Sequence, residues 1–205
     1  MYKGKVFVIK AGGGAFRDAA TMRAFIEQVA ILHHLGIRVV LVHGGGPQLD
    51  ELTAKLGVPT RMVQGRRVTD ADAIDATSMV LNGLINTRLL ALCRGFGISA
   101  LGLSGVDGGL VTAHRRAPVT LASGEVVDYG MVGDIDAVDA TVITRLLDAG
   151  FLPVADAVPA PAAGPGAVPQ HHGARRSRTA SSARTLGGRA PRPCWSGCGR
   201  GCVRA

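Results

Sequence analysis

The chain has 205 residues, 47% of them apolar, and a formal net charge of +8. That length supports one globular domain with a sizeable core, and no apolar run approaches the roughly 18 residues needed to span a membrane. The charge is confined: residues 1–156 balance 15 Lys and Arg against 15 Asp and Glu, whereas residues 157–205 hold eight Arg and no acid. The basic balance therefore describes the last segment and does not mark the folded part as a nucleic-acid binder. Met1 leads within five residues into a strand-like run with no signal-peptide pattern, so a cytoplasmic location is expected.

Residues 5–10, "KVFVIK", read as a short buried strand. From Asp18 to His34 the apolar residues Met22, Phe25, Ile26, Val29 and Leu32 keep helical spacing, and Gly36 closes the helix. "RVVLVH" is a second strand. "PQLDELTAKLG" is a short helix with Pro47 in its first turn and Gly57 as its stop. "RMVQGRRVTD" turns at Gly65 as a hairpin or irregular excursion. A long helix over 70–92 follows, with Thr69 and Asp72 in capping-box spacing and a buried face of Ile74, Leu81, Leu84, Ile85, Leu89 and Leu92. Cys93 in this pattern reads as a small buried hydrophobe. "SALGLS" is a third core strand. Residues 110–135 suit antiparallel strands, "DAVDATVITRLLDAG" a helix, and "FLPVADAV" the last strand. Strands and helices that alternate in this way, with nearly continuous apolar strands, predict an α/β fold around a mainly parallel sheet.

Two of these strands end in glycine clusters, "VFVIKAGGG" and "VVLVHGGGPQ". At the C-terminal edge of a parallel sheet, glycines let backbone N–H groups face a ligand without an intervening Cβ, and a helix that starts just beyond favours an anion. Lys10 would add an ammonium at the same edge. Neither cluster fits the Walker A or the Rossmann fingerprint, and either alone is equally well an ordinary glycine-rich turn.

Taken in order, "KAGGGAF", "VHGGGPQLDEL", "GRRVTD", "MVLNGLINTRLLALC", "GLSGVDGGL" and "VDYGMVGDI" resemble the acetylglutamate kinases of the amino-acid kinase family, over about residues 5–155. The resemblance implies a three-layer αβα sandwich and transfer of the γ-phosphoryl of ATP, with Mg2+, to the side-chain carboxylate of N-acetyl-L-glutamate in arginine biosynthesis. It makes Lys10 the transition-state stabiliser, and Gly12 and Gly13 the glycines that face the phosphate. Gly44, Gly45 and Gly46 become the glycines that hold the phosphoryl and the reacting carboxylate, and Arg67 the clamp on the α-carboxylate. It also implies a homodimer built through the long helix. Such residue types suit the reaction, because phosphoryl transfer needs positioning and charge neutralisation, and a planar guanidinium grips a carboxylate with two parallel bonds. No resident metal site is expected.

The pattern then departs. The family continues with an N-x-N-A-D motif and a nucleotide-binding half that carries a second catalytic lysine. Here "VPQHHGA" stands in the motif's place, and Lys3, Lys5, Lys10 and Lys55 are the only lysines. Two parts are expected: 1–156 as the amino-acid-binding half, and 157–205 as a disordered or out-of-frame Arg-, Pro-, Gly- and Ala-rich tail, the composition of a GC-rich gene read in a shifted frame. Cys194, Cys198 and Cys202 stand at a spacing uncommon for zinc. Kinase turnover by this chain is not expected. A kinase of carrier-linked aminoadipate or glutamate, and a non-catalytic binding or dimerisation module with a basic tail, are the competing readings.

Overall fold

A computed structural model describes residues 2–156; the expectations for the tail and its cysteines lie outside the described residues. In chain order the elements are β1 (Val6–Ala11), α1 (Ala19–His34), β2 (Arg38–His43), α2 (Gly46–Leu56), β3 (Arg61–Val63), β4 (Arg66–Val68), α3 (Ala71–Ser78) and α4 (Asn86–Gly95). They continue with β5 (Ala100–Leu103), β6 (Val111–Arg115), β7 (Val119–Thr120), β8 (Val126–Val127), β9 (Gly133–Val138), α5 (Thr141–Asp148) and β10 (Leu152–Asp156).

β1, β2, β10 and β5 form one parallel sheet in that order. Side-chain alternation gives it two faces. Val39 and Leu41 of β2 and Leu152 and Val154 of β10 face α1 and the long helix, where Ile26, Val29, Ile85, Leu89 and Cys93 complete the main core. The opposite face carries Val40, Ala155 and Leu103, with α5 packed on β2 and β10 through Leu147. The expected α/β architecture, with helices on both faces of the parallel sheet, is thus present. β10 is buried at every position because it lies between β2 and β5 with a layer on each side. The antiparallel pieces expected within 110–135 are the β6–β9 and β7–β8 pairs, and the hairpin at Gly65 is the β3–β4 pair, with Gln64 and Gly65 both at positive φ.

Three expectations are corrected. The cap of α3 is Asp70, whose carboxylate accepts the Ala73 N–H at 2.9 Å, in place of the Thr69 capping box. The 136–150 helix is shorter, because residues 136–138 belong to β9 and α5 begins at Thr141. Residues 71–95 are one helix, but Met79–Ile85 is a π-helical segment. Its wider i to i+5 turn delays the phase of the buried face. Leu84 is consequently 37% exposed, while Val80, Asn86 and Cys93 turn inward. This 25-residue helix is long and apolar enough to cross a membrane, yet its buried side chains pack in the sheet core. Burial pushes the Cys93 thiol up to about 11, as suits an inert core cysteine.

Among the described residues β1 is an edge strand, and it turns Val6 (48% exposed) and Val8 (68% exposed) to solvent. Such an uncovered apolar edge favours association. Val8→Lys is expected to raise the concentration at which light scattering finds the chain monodisperse, with little change in melting temperature.

Candidate functional site

Because the sheet is parallel, its strands end at one edge, and Ala11, His43 and Asp156 stand in register there. The two glycine clusters leave this edge side by side. The Gly44 N–H donates to the Ala11 carbonyl at 3.0 Å and so extends the β1–β2 ladder, which commits that amide to the fold. Gln48 ties the clusters together: its Nε2 donates to the carbonyls of Gly13 (3.0 Å) and Phe16 (2.9 Å).

The glycines divide into two kinds. A Cβ on Gly13 would fall 2.7 Å from Pro47 Cδ and 3.1 Å from Gly45 Cα, and one on Gly45 would fall 2.6 Å from Leu81 Cδ2 and closer still to Ile85 Cδ1. These two glycines permit close packing. Gly12, Gly14 and Gly46 have nothing within 4 Å where a Cβ would stand, so packing does not require them. Gly46 opens α2, in the turn whose N–H groups lack intrahelical acceptors. The edge is therefore a backbone-lined space at a helix N-terminus, suited to an anionic group.

Beside it lies a cavity of about 260 Å³ lined by Gly45, Gly46 and Leu49 from the α2 side, Arg67 and Thr69 after the hairpin, Ile74, Thr77 and Leu81 from the long helix, and Met131, Val132 and Gly133. Arg67 places a guanidinium in its wall and is itself only 16% exposed. Its Nη1 donates to Thr60 Oγ1 at 2.9 Å and its Nη2 pairs with the Asp50 carboxylate. The cavity thus has a cation in one wall, a glycine edge in another and an apolar lining between them.

The wall at Met131–Gly133 was not assigned a role by the sequence. It is held by Thr69, whose N–H donates to the Tyr129 carbonyl at 2.9 Å and whose carbonyl accepts from Met131 N–H at 2.7 Å. Gly130, at φ 74°, lets the backbones approach, since a Cβ there would strike the Thr69 carbonyl. Asp128 fixes the turn by accepting the Gly130 N–H and an Arg115 N–H, each at 2.8 Å. The signal was present in the sequence, because "GRRVTD" and "VDYGMVGDI" are the two strings that meet here.

Lys10 is placed at the same sheet edge but on another face. Its side chain alternates with Val6 and Val8 on the exposed side of β1, and it does not line the cavity. Gly13 meets the second glycine cluster, Gly12 does not touch it, and Gly45, Gly46 and Arg67 share the cavity.

Beneath the glycines, His43 is fully buried, with Asn86 Nδ2 3.4 Å from its Nε2, the Phe16 ring edge-on, and no hydrogen-bond partner at Nδ1 among the described residues. Asn86 is fixed in turn by donating to the Val154 carbonyl at 3.1 Å. Burial pushes the His43 imidazole below its ordinary 6.5, against an opposing push from the Gly44 backbone. A lowered folded value means that below 6.5 the unfolded chain takes up protons first, so stability is full above that pH and is lost as the pH falls toward the folded value. Burial and the neighbouring His34 push His33 in the same direction. Denaturant titrations at several pH values should therefore show stability falling below 6.5, with a shallower fall in His43→Gln.

The sequence profile of the Amino acid kinase family matches residues 5–166. The chain belongs to that family. It is 47% identical over 158 residues to the acetylglutamate kinase of Myxococcus xanthus (strain DK1622), an overlap covering 75% of this chain and 51% of that protein. It is 43% identical over 157 residues to the acetylglutamate kinase of Paenarthrobacter aurescens (strain TC1), covering 77% and 49%. The chain thus spans about half the length of the curated relatives it matches. Among solved structures, N-acetylglutamate synthase from Neisseria gonorrhoeae, complexed with coenzyme A and N-acetyl-glutamate, aligns with a TM-score of 0.60 at 26% identity, over 76% of this chain and 34% of that one.

Proposed function

We propose that residues 1–156 are the amino-acid-binding half of an acetylglutamate kinase, and that the cavity beside the glycine edge receives N-acetyl-L-glutamate. The observation that carries this reading is the shared cavity of Arg67, Gly45 and Gly46. Arg67 takes the α-carboxylate. The side-chain carboxylate then points to the amides of Gly45 and Gly46, where a helix N-terminus favours negative charge. Gly44 shapes the turn, since its amide is committed to β1. Gly12 and Gly13 border the space for the incoming phosphoryl, and Lys10, on the exposed face of β1 at the same edge, is the charge that would have to reach past the strand end to offset what develops during transfer.

ATP with Mg2+ is the co-substrate in this reading, and it supplies the γ-phosphoryl. Gly46, which lines the cavity at the start of α2 and has nothing within 4 Å where a Cβ would stand, offers a backbone amide to a phosphate group. A cytoplasmic setting and a homodimer through the long helix belong to the same proposal.

Calorimetric titration of the 205-residue chain tests it. Saturable binding of N-acetyl-L-glutamate supports the reading. Binding of a carrier-linked aminoadipate in its place would favour the lysine-type relative. Salt-sensitive nucleic-acid binding with no amino-acid binding would favour a non-catalytic module.

A further inference from the structure

We infer that Asp50, with Thr60, is a positioning residue that sets the length of acid the cavity accepts. The inference rests on the cavity reading above and deepens it. α2 begins at Gly46 and carries Asp50 four residues on, so both lie on one face of the helix, a turn apart. The Asp50 carboxylate pairs with Arg67 Nη2, and the Thr60 hydroxyl accepts from Arg67 Nη1 at 2.9 Å. The helix that presents the glycine edge therefore also holds the guanidinium. The distance between the two ends of a bound diacid is fixed by this one pair, not by the flexible arginine side chain.

The chemistry allows both tasks at once. A guanidinium has five N–H donors in a rigid fork, so one hydrogen bond from each Nη leaves donors for a ligand carboxylate. Asp50 is 64% exposed, and a pair with so exposed a member adds little to folding stability. Its place beside an anion site also runs against simple electrostatics: a carboxylate near a bound carboxylate repels it. A pair that adds little to stability and opposes ligand charge is best explained by geometry.

Two accounts predict opposite signs for Asp50→Asn. If Asp50 acts only as a nearby charge, its removal tightens all anions alike. If it positions Arg67, its removal weakens N-acetyl-L-glutamate and relaxes the choice of length. One methylene is typically worth about 10- to 200-fold in a fitted site. The probes are N-acetyl-L-glutamate, N-acetyl-L-aspartate and N-acetyl-L-aminoadipate, titrated calorimetrically into the full chain, into Asp50→Asn and into Thr60→Val. Glu51→Gln serves as the control; it removes a charge on the same helix that pairs with Lys55 and not with Arg67.

The expected result for Asp50→Asn is about a tenfold or greater loss for N-acetyl-L-glutamate, a smaller change for the other two acids and an unchanged melting temperature. Glu51→Gln should bind like the unmodified chain. Nitrogen-15 NMR of the Arg67 guanidinium gives a readout free of ligand: restricted Nη rotation in the unmodified chain, averaged in Asp50→Asn. Equal tightening of all three acids, unchanged selectivity, or an Arg67 already averaged in the unmodified chain overturns the inference. If the unmodified chain binds none of the acids while Arg67 is restrained, the cavity reading fails and the pair is structural only, which overturns the length-setting role for a separate and recognisable reason.

Discussion

Arg67→Ala is expected to weaken binding of N-acetyl-L-glutamate by about ten- to a hundredfold while leaving the chain folded. The size follows from the bond that is lost: hydrogen bonds to charged groups are worth roughly 1.5–3 kcal/mol, and 1.4 kcal/mol is tenfold in affinity. The Arg67 side chain is 16% exposed, so its guanidinium is screened less than a fully exposed one. Folding should survive, because Arg67 is on a three-residue strand and its ion partner Asp50 is 64% exposed. Arg67→Lys should recover only part of the loss, since an ammonium keeps the charge but not the two parallel donors. Calorimetry for affinity and circular dichroism for fold separate these effects. A wild-type affinity in Arg67→Ala would remove the clamp from the account.

The glycines should separate into two classes on substitution. Gly45→Ala places a methyl against Leu81 and Ile85, which are 5% and 1% exposed and packed in the core. Overpacking of this kind costs about 1–3 kcal/mol. Gly13→Ala meets Pro47, Gln48 and the Gly45 backbone and should cost a similar amount. Gly46→Ala meets nothing within 4 Å and stands in the first turn of α2. Alanine is the better helix former by up to about 1 kcal/mol, so the fold should be unchanged or slightly firmer. Its methyl would nevertheless occupy the space assigned to the reacting carboxylate, and binding should fall about tenfold or more. Thermal melts give the first effect and titration the second. If Gly46→Ala binds normally, the open side of the glycine edge is not the ligand's side.

Local patterns reveal much of this fold before the coordinates. The strands expected over 5–10 and 38–43 and the helix from Asp18 to His34 lie within a residue of the observed elements, and with the stops at Gly36 and Gly57 they follow from period, capping and left-handed glycines, which are properties of a few neighbouring residues. The position of β10 between β2 and β5 is not legible in that way, because strand order depends on which faces remain to be covered. The π-helical segment also escapes a 3.6-residue period: "MVLNGLI" offers no breaker, and the sheet below draws in Asn86 at the expense of Leu84. In the site, the glycine clusters stand out by residue type, whereas Arg67 is singled out only by the resemblance of "GRRVTD" to the family motif. The contacts were not legible. Asp50 reads as an ordinary helix charge, Gln48 as part of a helix start, and Met131–Gly133 as a turn, until the fold brings them to Arg67, Gly13 and Thr69. Lys10 was readable as an edge residue, but the side of the sheet it occupies follows only from the register of β1 on β2.

The most direct measurement for the central claim is an NMR titration of the isotopically labelled 205-residue chain with N-acetyl-L-glutamate. The account predicts saturable shifts at the amides of Gly45, Gly46, Thr69, Thr77 and Gly133 and at the Arg67 guanidinium, the groups that surround one cavity. Shifts clustered elsewhere, or a folded chain whose spectrum does not respond to the ligand, would contradict it.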